Sequence, residues 1–564
     1  MVKFMKNKVI QNHQPLLNTW KLFIILLLIF GVFFRFVNID KKVYWIDETY
    51  TSLRISGYKE SEFIQAFHEE QVIGIENLLK YQYPNPEKDT VGTFKSIAAE
   101  DPHHPPLYYL MLRTWTQYFG TSVASQRSMS AVIGLLVFPS IYWLCRELFQ
   151  SSLVGWIAIA LVAISPFHVL YAQEAREYSL WGVTILLSSA ALLRAMRINT
   201  KGSWSVYTIT LSLAIYCHWF SILVAISHAL YVAILERFCL SKTVIAYFMS
   251  LLAGALTFAP WLVFIVTNVD PASFKDTSAW VYAQPSFTAF IQSWTISLSR
   301  LFVDLDRGWC WGLESSYCRY PLNFHEPLIY LIIPIAILVG YSIYWVFCTS
   351  ALRIWLFILT LVGVTALALI IPDLILGGQR SSMTRYFTPS ILGIQLAVSY
   401  CFAAKITSES VRALSQKIWR IIMVSIISIG ILSCAMSSQS ETWWNKIHNY
   451  DTYPISRILN KADNPLLLYR FSNNLKIGTL GNYIMPIAHL LDPKVKIIVM
   501  LKSDYIPKIP DKFDNIFTIK PSQKFREIIE QSNQYQMKLV YDSSQDLKPG
   551  VNMPTRTVWQ INKL

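Results

Sequence analysis

Residues 20–37 read WKLFIILLLIFGVFFRFV, and residues 45–50, a few positions later, read WIDETY. The first stretch is as long and apolar as a helix that crosses a bilayer, which takes about 20 residues. The second stretch places the adjacent carboxylates of Asp47 and Glu48 where that helix would leave the membrane. Ionisable groups at a membrane boundary are costly to desolvate and are most often there for a functional reason. The pair therefore predicts a site at this surface, with capping of an outer helix as the alternative.

Long apolar runs recur along the chain. Of the 564 residues 53% are hydrophobic, and the mean hydropathy of +0.37 exceeds what a soluble core needs. Runs long enough to cross a bilayer lie at 20–37, 126–144, 153–171, 178–195, 205–220, 221–236, 244–268, 327–348, 354–372, 386–404 and 418–436. We therefore expect an all-α polytopic membrane protein with about eleven transmembrane helices. The first run does not end in small residues, so it is expected to be a retained anchor and not a cleaved signal peptide.

The basic residues of the short loops predict the orientation, because Lys and Arg are held on the cytoplasmic side during insertion. They fall in alternate loops, at Arg146, Arg194, Arg197, Lys201, Arg237, Lys242, Arg353, Lys405, Arg412, Lys417 and Arg420. We expect a multi-pass protein of the cell (inner) membrane with a cytoplasmic N-terminus. The segments 38–125, 172–177, 269–326, 373–385 and everything after 437 then lie outside, together with the turn near His218. This arrangement requires that residues 105–120, about 22 Å as a helix, lie at the outer interface without crossing.

The composition changes after the last apolar run. Short β-type runs occur at 466–469, 495–500, 516–519, 538–541 and 557–561, with a helical run at 523–531. Such elements predict a small extracytoplasmic α/β domain over residues 438–564. Residues 1–437 then form the transmembrane domain, with a large first outer loop at 38–125 that carries juxtamembrane helices.

The net charge does not indicate a nucleic-acid partner, and two of the cysteines predict a disulfide. The net charge of +14 comes from 49 Lys and Arg against 35 Asp and Glu, and the cytoplasmic charges are already explained by orientation. No basic module with a groove-reading pattern is present, so we expect no nucleic-acid partner. Cys310 and Cys318 share an outer loop, where oxidising conditions and close spacing favour a disulfide.

Three more clusters of polar residues lie beside apolar runs on the predicted outer side. Asp101 to Tyr109 read DPHHPPLYY, in which two prolines start a helix whose positive end, with His103 and His104, favours an anion. Residues 173–178 read QEAREY, which places Glu174, Arg176 and Tyr178 at the lip of the membrane, where they could also be plain interface anchors.

Residues 379–386, which read QRSSMTRY, form the third of these clusters. Arg380 and Arg385 run against the orientation rule there, and a phosphate-bearing ligand would explain them, because guanidinium groups bind phosphate in bidentate fashion. His218 either lines the same ligand-binding cavity as these arginines or packs among the aromatic residues at the membrane interface.

Together these motifs resemble the dolichyl-phosphate-mannose protein mannosyltransferase-like branch of the GT-C glycosyltransferases, which includes the bacterial aminoarabinose lipid A transferases. The resemblance covers roughly residues 20–400. It implies a GT-C-like fold, a polyprenyl-phosphate-sugar donor and an active site at the non-cytoplasmic face. It further implies that Asp47 is the catalytic carboxylate with Glu48 as its partner, and that the region of His103, His104 and Pro105 binds the donor phosphate. A histidine stands where the aminoarabinose transferases carry a lysine before their prolines, so lipid A transfer is not implied.

We expect Asp47 to act as the general base for an acceptor hydroxyl that attacks the sugar with inversion. The expected phosphate-binding residues are His103, His104, Arg176, Arg380, Arg385 and Tyr386, supported by Glu174, Tyr178 and His218. A divalent metal held by Asp47, His104 and Glu174 is the one cofactor considered. The expected partners are the donor, membrane lipids and an acceptor that is a lipid, a glycan or a protein. A polysaccharide ligase or polymerase with a lipid-diphosphate donor is the closest alternative, and a lipid or sugar transporter is a more distant one.

Overall fold

The computed structural model of the protein describes residues 14–67, 71–271, 279–304, 330–407, 412–470, 483–500, 505–546 and 555–564. It is mostly helical, and a mixed β-sheet is formed chiefly by the C-terminal part of the chain. The predicted disulfide between Cys310 and Cys318 lies outside the described residues.

Helices occur at all eleven apolar runs, but fewer of them meet the requirements of a membrane span. Over the described ranges, seven are long and apolar enough to cross a bilayer, at Val123–Phe149, Tyr178–Ile198, Lys242–Asn268, Ile332–Thr349, Leu352–Leu376, Thr384–Thr407 and Ala413–Lys446. An eighth results if the bent pair Ser152–Ala163 and Pro166–Ala172 counts as one span. The other three are Lys201–Cys217, Ser221–Leu235 and the apolar part Phe23–Phe36 of the helix Gln14–Phe36. By length and composition, seven or eight of the eleven predicted spans meet these requirements among the described residues, and the 15-residue helix Ser221–Leu235 covers only about 22 Å.

The bent pair positions one of the predicted polar clusters. The helix Ser152–Ala163 ends where Pro166, which has no backbone N–H to donate, starts the next helix at an angle of 60°. Arg35 of the first helix donates to the carbonyl oxygens of Ala163 at 3.0 Å and Val162 at 3.3 Å. The break therefore has its backbone acceptors satisfied inside the bundle, and the second helix leads directly into the turn that carries Glu174 and Arg176.

The first outer loop is built from short helices. Their bounds are Ile46–Ser56, Glu60–Ala66, Ile75–Leu79, Lys80–Gln82, Thr90–Glu100 and Leu107–Phe119, of which Lys80–Gln82 is a 3₁₀ turn. The predicted short helix at 105–120 is present as the 13-residue helix Leu107–Phe119, which is too short to cross a bilayer. The chain enters this loop between segments of the C-terminal part, since Val43 N–H donates to the Glu441 carbonyl and the Tyr453 hydroxyl donates to the Lys41 carbonyl.

The C-terminal sheet contains all five strands that the sequence predicts and one that it does not. Its strands are β1 (Val72–Ile73), β2 (Pro465–Arg470), β3 (Lys496–Met500), β4 (Asn515–Ile519), β5 (Tyr535–Asp542) and β6 (Thr557–Lys563). Their order is β1-β3-β2-β4-β6-β5; β2 is parallel to β3 and β4, and the other pairs are antiparallel. The helices of this part are Thr452–Lys461, Ile484–Ala488 and Gln523–Gln531, with 3₁₀ turns at Trp444–Asn449 and Ser543–Asp546. Strand β1 was not predicted, because two residues carry no alternation.

Strand β1 comes from the first outer loop, and the two regions share one core. Leu53, Phe63 and Leu78 of the loop pack in the same buried cluster as Ile455 and Ile487 of the C-terminal part. The predicted division at residue 438 therefore separates two stretches of chain that fold around a common apolar core.

A second junction lies where the last membrane helix ends. The indole N–H groups of Trp443 and Trp444 donate to the same carboxylate oxygen of Asp304, at 2.9 and 2.8 Å, and all three side chains are buried. The guanidinium of Arg300 lies over the Trp444 ring, 3.4 Å from its centroid. This junction fixes the direction in which the chain leaves the bundle and enters the turn Trp444–Asn449.

Candidate active site

Asp47 and Arg385, far apart in the sequence, face each other in the structure. Asp47 lies in the first turn of the helix Ile46–Ser56, and Arg385 lies in the turn Thr384–Phe387 that precedes the helix Thr388–Thr407. Arg385 Nη2 is 3.4 Å from Asp47 Oδ2, and the two side chains are 16% and 23% exposed. An opening that water reaches, with one carboxylate and one guanidinium on its walls, can hold an anionic ligand next to a proton acceptor.

Aromatic rings surround the Arg385 guanidinium. Its central carbon lies 5.8, 5.7 and 5.5 Å from the ring centroids of Trp45, Tyr178 and Tyr386. Contacts of this kind are each worth about 0.5–1 kcal/mol where they are exposed and more where they are desolvated. Arg385 Nε has no hydrogen-bond partner within the described ranges. The rings therefore hold the guanidinium in place while part of its donor capacity stays available.

Arg176 links two of the predicted clusters. Its Nη1 donates to the Asp47 carbonyl at 3.3 Å and to Thr51 Oγ1 at 3.1 Å, and its Nη2 lies 3.2 Å from His104 Nε2 and 3.3 Å from Glu177 Oε1. The turn at 173–177 is thus tied to the helix of Asp47 and to the His-His-Pro-Pro segment. Tyr178 lies within 6 Å of both guanidinium groups.

The two histidines form a cluster with carboxylates. His103 Nε2 is 3.0 Å from Asp101 Oδ1, His104 Nε2 is 3.8 Å from the same oxygen, and His104 Nδ1 is 3.1 Å from Glu177 Oε1. Burial opposes the charged form of Asp101, but His104, His103 and Arg54 hold its pKa well below the usual range. Burial likewise opposes the charge of Glu177, and Arg176 and His104 lower its pKa.

Glu48 is enclosed by partners and does not face the opening. Arg127 binds it with two parallel N–H···O contacts of 2.7 Å, and Ala175 N–H donates to Oε1 at 2.9 Å. Lys446 Nζ lies 2.9 Å from Oε2. Burial alone would raise the pKa of Glu48, but the charges of Arg127 and Lys446 bring it below the usual value. Glu48 is therefore a buried carboxylate with a charged or N–H partner at each oxygen, and of the pair only Asp47 is partly exposed.

Glu174 takes part in the same buried cluster. Lys446 Nζ lies 3.1 Å from Glu174 Oε1, and the Asn445 side-chain amide also donates to that oxygen. Burial raises the pKa of Glu174; Lys446 opposes this shift, and the negative charges of Glu48 and Asp47 add to it. The predicted metal set of Asp47, His104 and Glu174 is not what the structure assembles. The group with metal-ligand geometry in the described part of the chain is Asp101, His103 and His104, whose ligand atoms lie within 4.8 Å of one another.

Two predicted site residues occupy different surroundings. His218 is buried and stacks on Trp181 with ring centroids 4.0 Å apart, and its own centroid is 6.1 Å from those of Tyr178 and Tyr386. It therefore supports the rings that hold Arg385. Arg380 Nη1 pairs with Asp373 Oδ1 at 3.1 Å, outside the group of contacts around Asp47.

Sequence reasoning missed Arg127 and Lys446, and it gave Asp101 and Glu177 no role. The argument that singled out Arg385, a basic residue on the predicted outer side, applies equally to Arg127 at the start of the second predicted span and to Lys446 after the last one. The pairing of Lys446 with Glu48 joins positions 398 residues apart. Such a pairing leaves no local pattern in a single sequence.

Part of the chain matches a known protein family. Residues 103–264 match the dolichyl-phosphate-mannose-protein mannosyltransferase family. The match includes the two histidines, the turn with Arg176, and His218, so the resemblance stated from these motifs is confirmed for the mannosyltransferase-like segment. No curated protein matches the chain.

Among solved structures, ArnT from Cupriavidus metallidurans in the apo state is 11% identical, with a TM-score of 0.51, over 96% of this chain and 98% of that one. The same protein bound to undecaprenyl phosphate is 11% identical, with a TM-score of 0.49, over 95% and 98%. The apo oligosaccharyltransferase of Archaeoglobus fulgidus is 13% identical, with a TM-score of 0.46, over 83% of this chain and 64% of that one. The apo ArnT likeness shows that this chain shares its fold.

Proposed function

We propose that the protein is a membrane glycosyltransferase that moves a sugar from a polyprenyl-phosphate donor to an acceptor hydroxyl. The observation that carries the proposal is the 3.4 Å approach of Arg385 to Asp47 in an opening reached by water. The match of residues 103–264 to mannosyltransferases that act with dolichyl phosphate mannose supports the class of donor. ArnT has been solved with bound undecaprenyl phosphate, which is a polyprenyl phosphate like the lipid part of the proposed donor.

In the proposed step, Asp47 takes the proton of the acceptor hydroxyl while the hydroxyl oxygen attacks the anomeric carbon. The new bond joins that oxygen to the sugar, and the bond between the sugar and the phosphate oxygen breaks. Its electron pair stays on the phosphate, which leaves as polyprenyl phosphate. One displacement inverts the anomeric configuration. Asp47 suits the role because it is partly exposed, whereas Glu48 is buried and fully paired.

The charge that develops on the phosphate requires cationic donors. We assign this role to Arg385 and Arg176, each of which has an Nε without a hydrogen-bond partner among the described residues. His103 and His104 stand beside Arg176 and are the next candidates for phosphate contacts. Because a phosphate leaves as a stabilised anion, the protein's task is to bind charge, and no strong general acid is needed.

A divalent metal fits the residues present. Asp101, His103 and His104 offer one oxygen and two nitrogens, a donor set that suits Zn²⁺ with a fourth position open. Glu177, whose Oε1 lies 3.1 Å from His104 Nδ1, would orient that ring, as carboxylates do for metal-bound histidines. When bound, such an ion would add positive charge next to the phosphate-binding arginines.

The proposed site opens on the extracytoplasmic side, with the N-terminus in the cytoplasm. This orientation rests on the Lys and Arg of alternate loops. The C-terminal sheet packs with the first outer loop and therefore lies on the same side as Asp47.

The test is donor turnover by the purified protein in lipid nanodiscs. Undecaprenyl-phosphate-linked and undecaprenyl-diphosphate-linked sugars are supplied with a membrane extract as the acceptor source, and released lipid is measured by mass spectrometry. We expect turnover of a monophosphate donor and none of the diphosphate donors. The reverse preference would favour the ligase or polymerase alternative.

Asp47→Asn is the matched variant in the same assay. It should lower turnover at least about 100-fold while the protein remains folded and inserted. Asp511→Asn, an exposed aspartate of the C-terminal part, serves as the control. Near-normal turnover by Asp47→Asn would remove the assignment of Asp47 as the base.

A further inference from the structure

The chain that follows the helix Ala413–Gln439 contacts the loop of Asp47 directly. Asn445 and Lys446 both bind Glu174, Lys446 also binds Glu48, and Asn449 Oδ1 accepts the backbone N–H of Ile46 at 3.1 Å. The region lies outside the segment matched by the mannosyltransferase family model, which ends at residue 264.

The cluster around Lys446 pairs two carboxylates with two cations and is closed to water. It contains the carboxylates of Glu48 and Glu174 and the cations of Arg127 and Lys446, and all four side chains are fully buried. Removing one partner from a buried ion pair typically costs 3–5 kcal/mol, roughly, because the other charge is left uncompensated. The cluster therefore holds its members in one geometry.

Two residues of the candidate site, Asp47 and Arg176, lie within two positions of a carboxylate of this cluster in sequence. Asp47 directly precedes Glu48, and Arg176 directly follows Ala175, whose N–H donates to Glu48. Trp45, whose ring lies beside Arg385, has its centroid 5.3 Å from Lys446 Nζ. A displacement of Lys446 would therefore also move the proposed base, Asp47, and a proposed phosphate ligand, Arg176.

We propose that Lys446 is a positioning residue for the proposed transfer. It fixes Asp47 and Arg176 relative to each other through Glu48 and Glu174, and it contacts neither donor nor acceptor. The C-terminal part of the chain thus completes the active site without contributing a group to the chemistry. This inference rests on the proposed function for its effect on rate.

The first test is Lys446→Met, which keeps the length and apolar bulk of the side chain and removes the charge. A misplacement of about 1 Å can cost on the order of 100-fold in rate. We expect kcat to fall by that order, with KM for the turned-over donor within about threefold, because Arg385 and Arg176 still bind the phosphate. Lys563→Met is the matched control, since Lys563 pairs with Asp511 at the surface of the same part of the chain.

A double variant separates positioning from simple charge balance. Lys446→Met with Glu174→Gln leaves Arg127 paired with Glu48 and restores neutrality, so its melting temperature should return towards that of the wild type. We expect kcat to stay low, because the bridge to Glu48 is still absent. Recovery of kcat together with stability would show that Lys446 only balances charge, and would overturn the proposal.

Hydrogen exchange followed by mass spectrometry measures whether Lys446 orders the segments that carry Asp47 and Arg176, and it requires no sugar donor. Peptides covering 43–56 and 173–178 should exchange faster in Lys446→Met and in the double variant than in the wild type and Lys563→Met. Unchanged exchange would overturn the positional link even if the rate falls. If the wild type turns over no monophosphate donor, the proposed function fails, and the exchange measurement still decides whether Lys446 orders these two segments.

Discussion

Asp47 and Glu48 are neighbours in sequence with opposite surroundings. Asp47 is 23% exposed and faces one guanidinium at 3.4 Å, whereas Glu48 is fully buried with Arg127, Lys446 and a backbone N–H as partners. A group that exchanges protons with a substrate must be reachable, and a buried carboxylate bound by two cations is a poor proton acceptor. The sequence predicts a functional pair here, and the side-chain contacts divide the two roles.

Arg385 is the second residue whose role can be tested alone. We expect Arg385→Met to lower the rate of donor turnover on the order of 100-fold, because one preorganised charge contact to the phosphate is lost. Arg385→Lys should restore only part of this rate, since an ammonium lacks the planar fork. Arg457→Met, at an exposed ion pair with Glu441, is the control. Equal activity of Arg385→Met and wild type in nanodiscs would exclude Arg385 from the site.

The lowered pKa of Glu48 predicts how stability depends on pH. A carboxyl whose pKa is lower in the folded than in the unfolded state, where it is about 4.3, stabilises the fold above that value. Its contribution is lost as the pH falls through the folded pKa. Glu48→Gln should therefore cost about 3–5 kcal/mol at pH 7, and the difference from wild type should shrink below about pH 4.

Melting temperatures in detergent between pH 3 and pH 8 would measure this dependence. Glu441→Gln, at the surface pair with Arg457, is expected to change little at any pH. A Glu48→Gln difference that stays constant down to pH 3 would contradict the lowered pKa.

The turn after the last membrane helix shows how one junction orders several segments. Trp443 and Trp444 bind Asp304 and their neighbour Lys446 binds the carboxylates of the first loop and of the turn at 173–177. Three separate stretches of chain therefore meet at the four consecutive residues 443–446.

Asp304→Ala tests that junction. It leaves two buried indole N–H groups without an acceptor, and each unpaired buried donor costs about 1–3 kcal/mol. We expect a loss of roughly 3 kcal/mol in the free energy of unfolding, seen as a lower melting temperature, with donor binding little changed. Asp511→Ala, at an exposed position of the C-terminal part, is the comparison. A melting temperature equal to that of the wild type would show that the junction contributes no stability.

Regular segments were predictable and their exceptions were not. The helix at 523–531 and the strands after residue 464 follow from the residue pattern within each segment, and their predicted bounds agree with the structure to within three residues. The single span predicted at 153–171 contains a 60° bend at Pro166, because hydropathy does not register direction. Strand β1 depends on pairing with β3, more than 400 residues away, and no local signal marks it.

The fold class could be predicted from the sequence because the thickness of the bilayer sets the length of an apolar run that crosses it. The polar clusters could be recognised because charged residues at membrane boundaries are rare. The mutual geometry of the clusters could not be predicted. The sequence does not indicate that Arg385 faces Asp47, that Arg380 pairs with Asp373, or that Glu48 is buried. Those outcomes depend on packing among distant segments.

Truncation tests whether the first loop depends on the C-terminal part. A chain ending at residue 437 lacks Lys446 and strands β2–β6, so the apolar face of the loop that packs on Ile455 and Ile487 is uncovered. We expect this chain to insert into membranes and to be cleaved rapidly by trypsin within residues 59–88, where the full-length protein resists. Equal resistance of both proteins would show that the loop folds alone.

The shared core also sets an order of events during biosynthesis. The ribosome delivers the loop of Asp47 first and the strands that support it last, after every helix between them has entered the bilayer. Until the final segments arrive, the proposed catalytic loop lacks the contacts of Lys446 and the apolar cover around Ile455 and Ile487. We therefore expect unfinished or prematurely terminated chains to transfer no sugar.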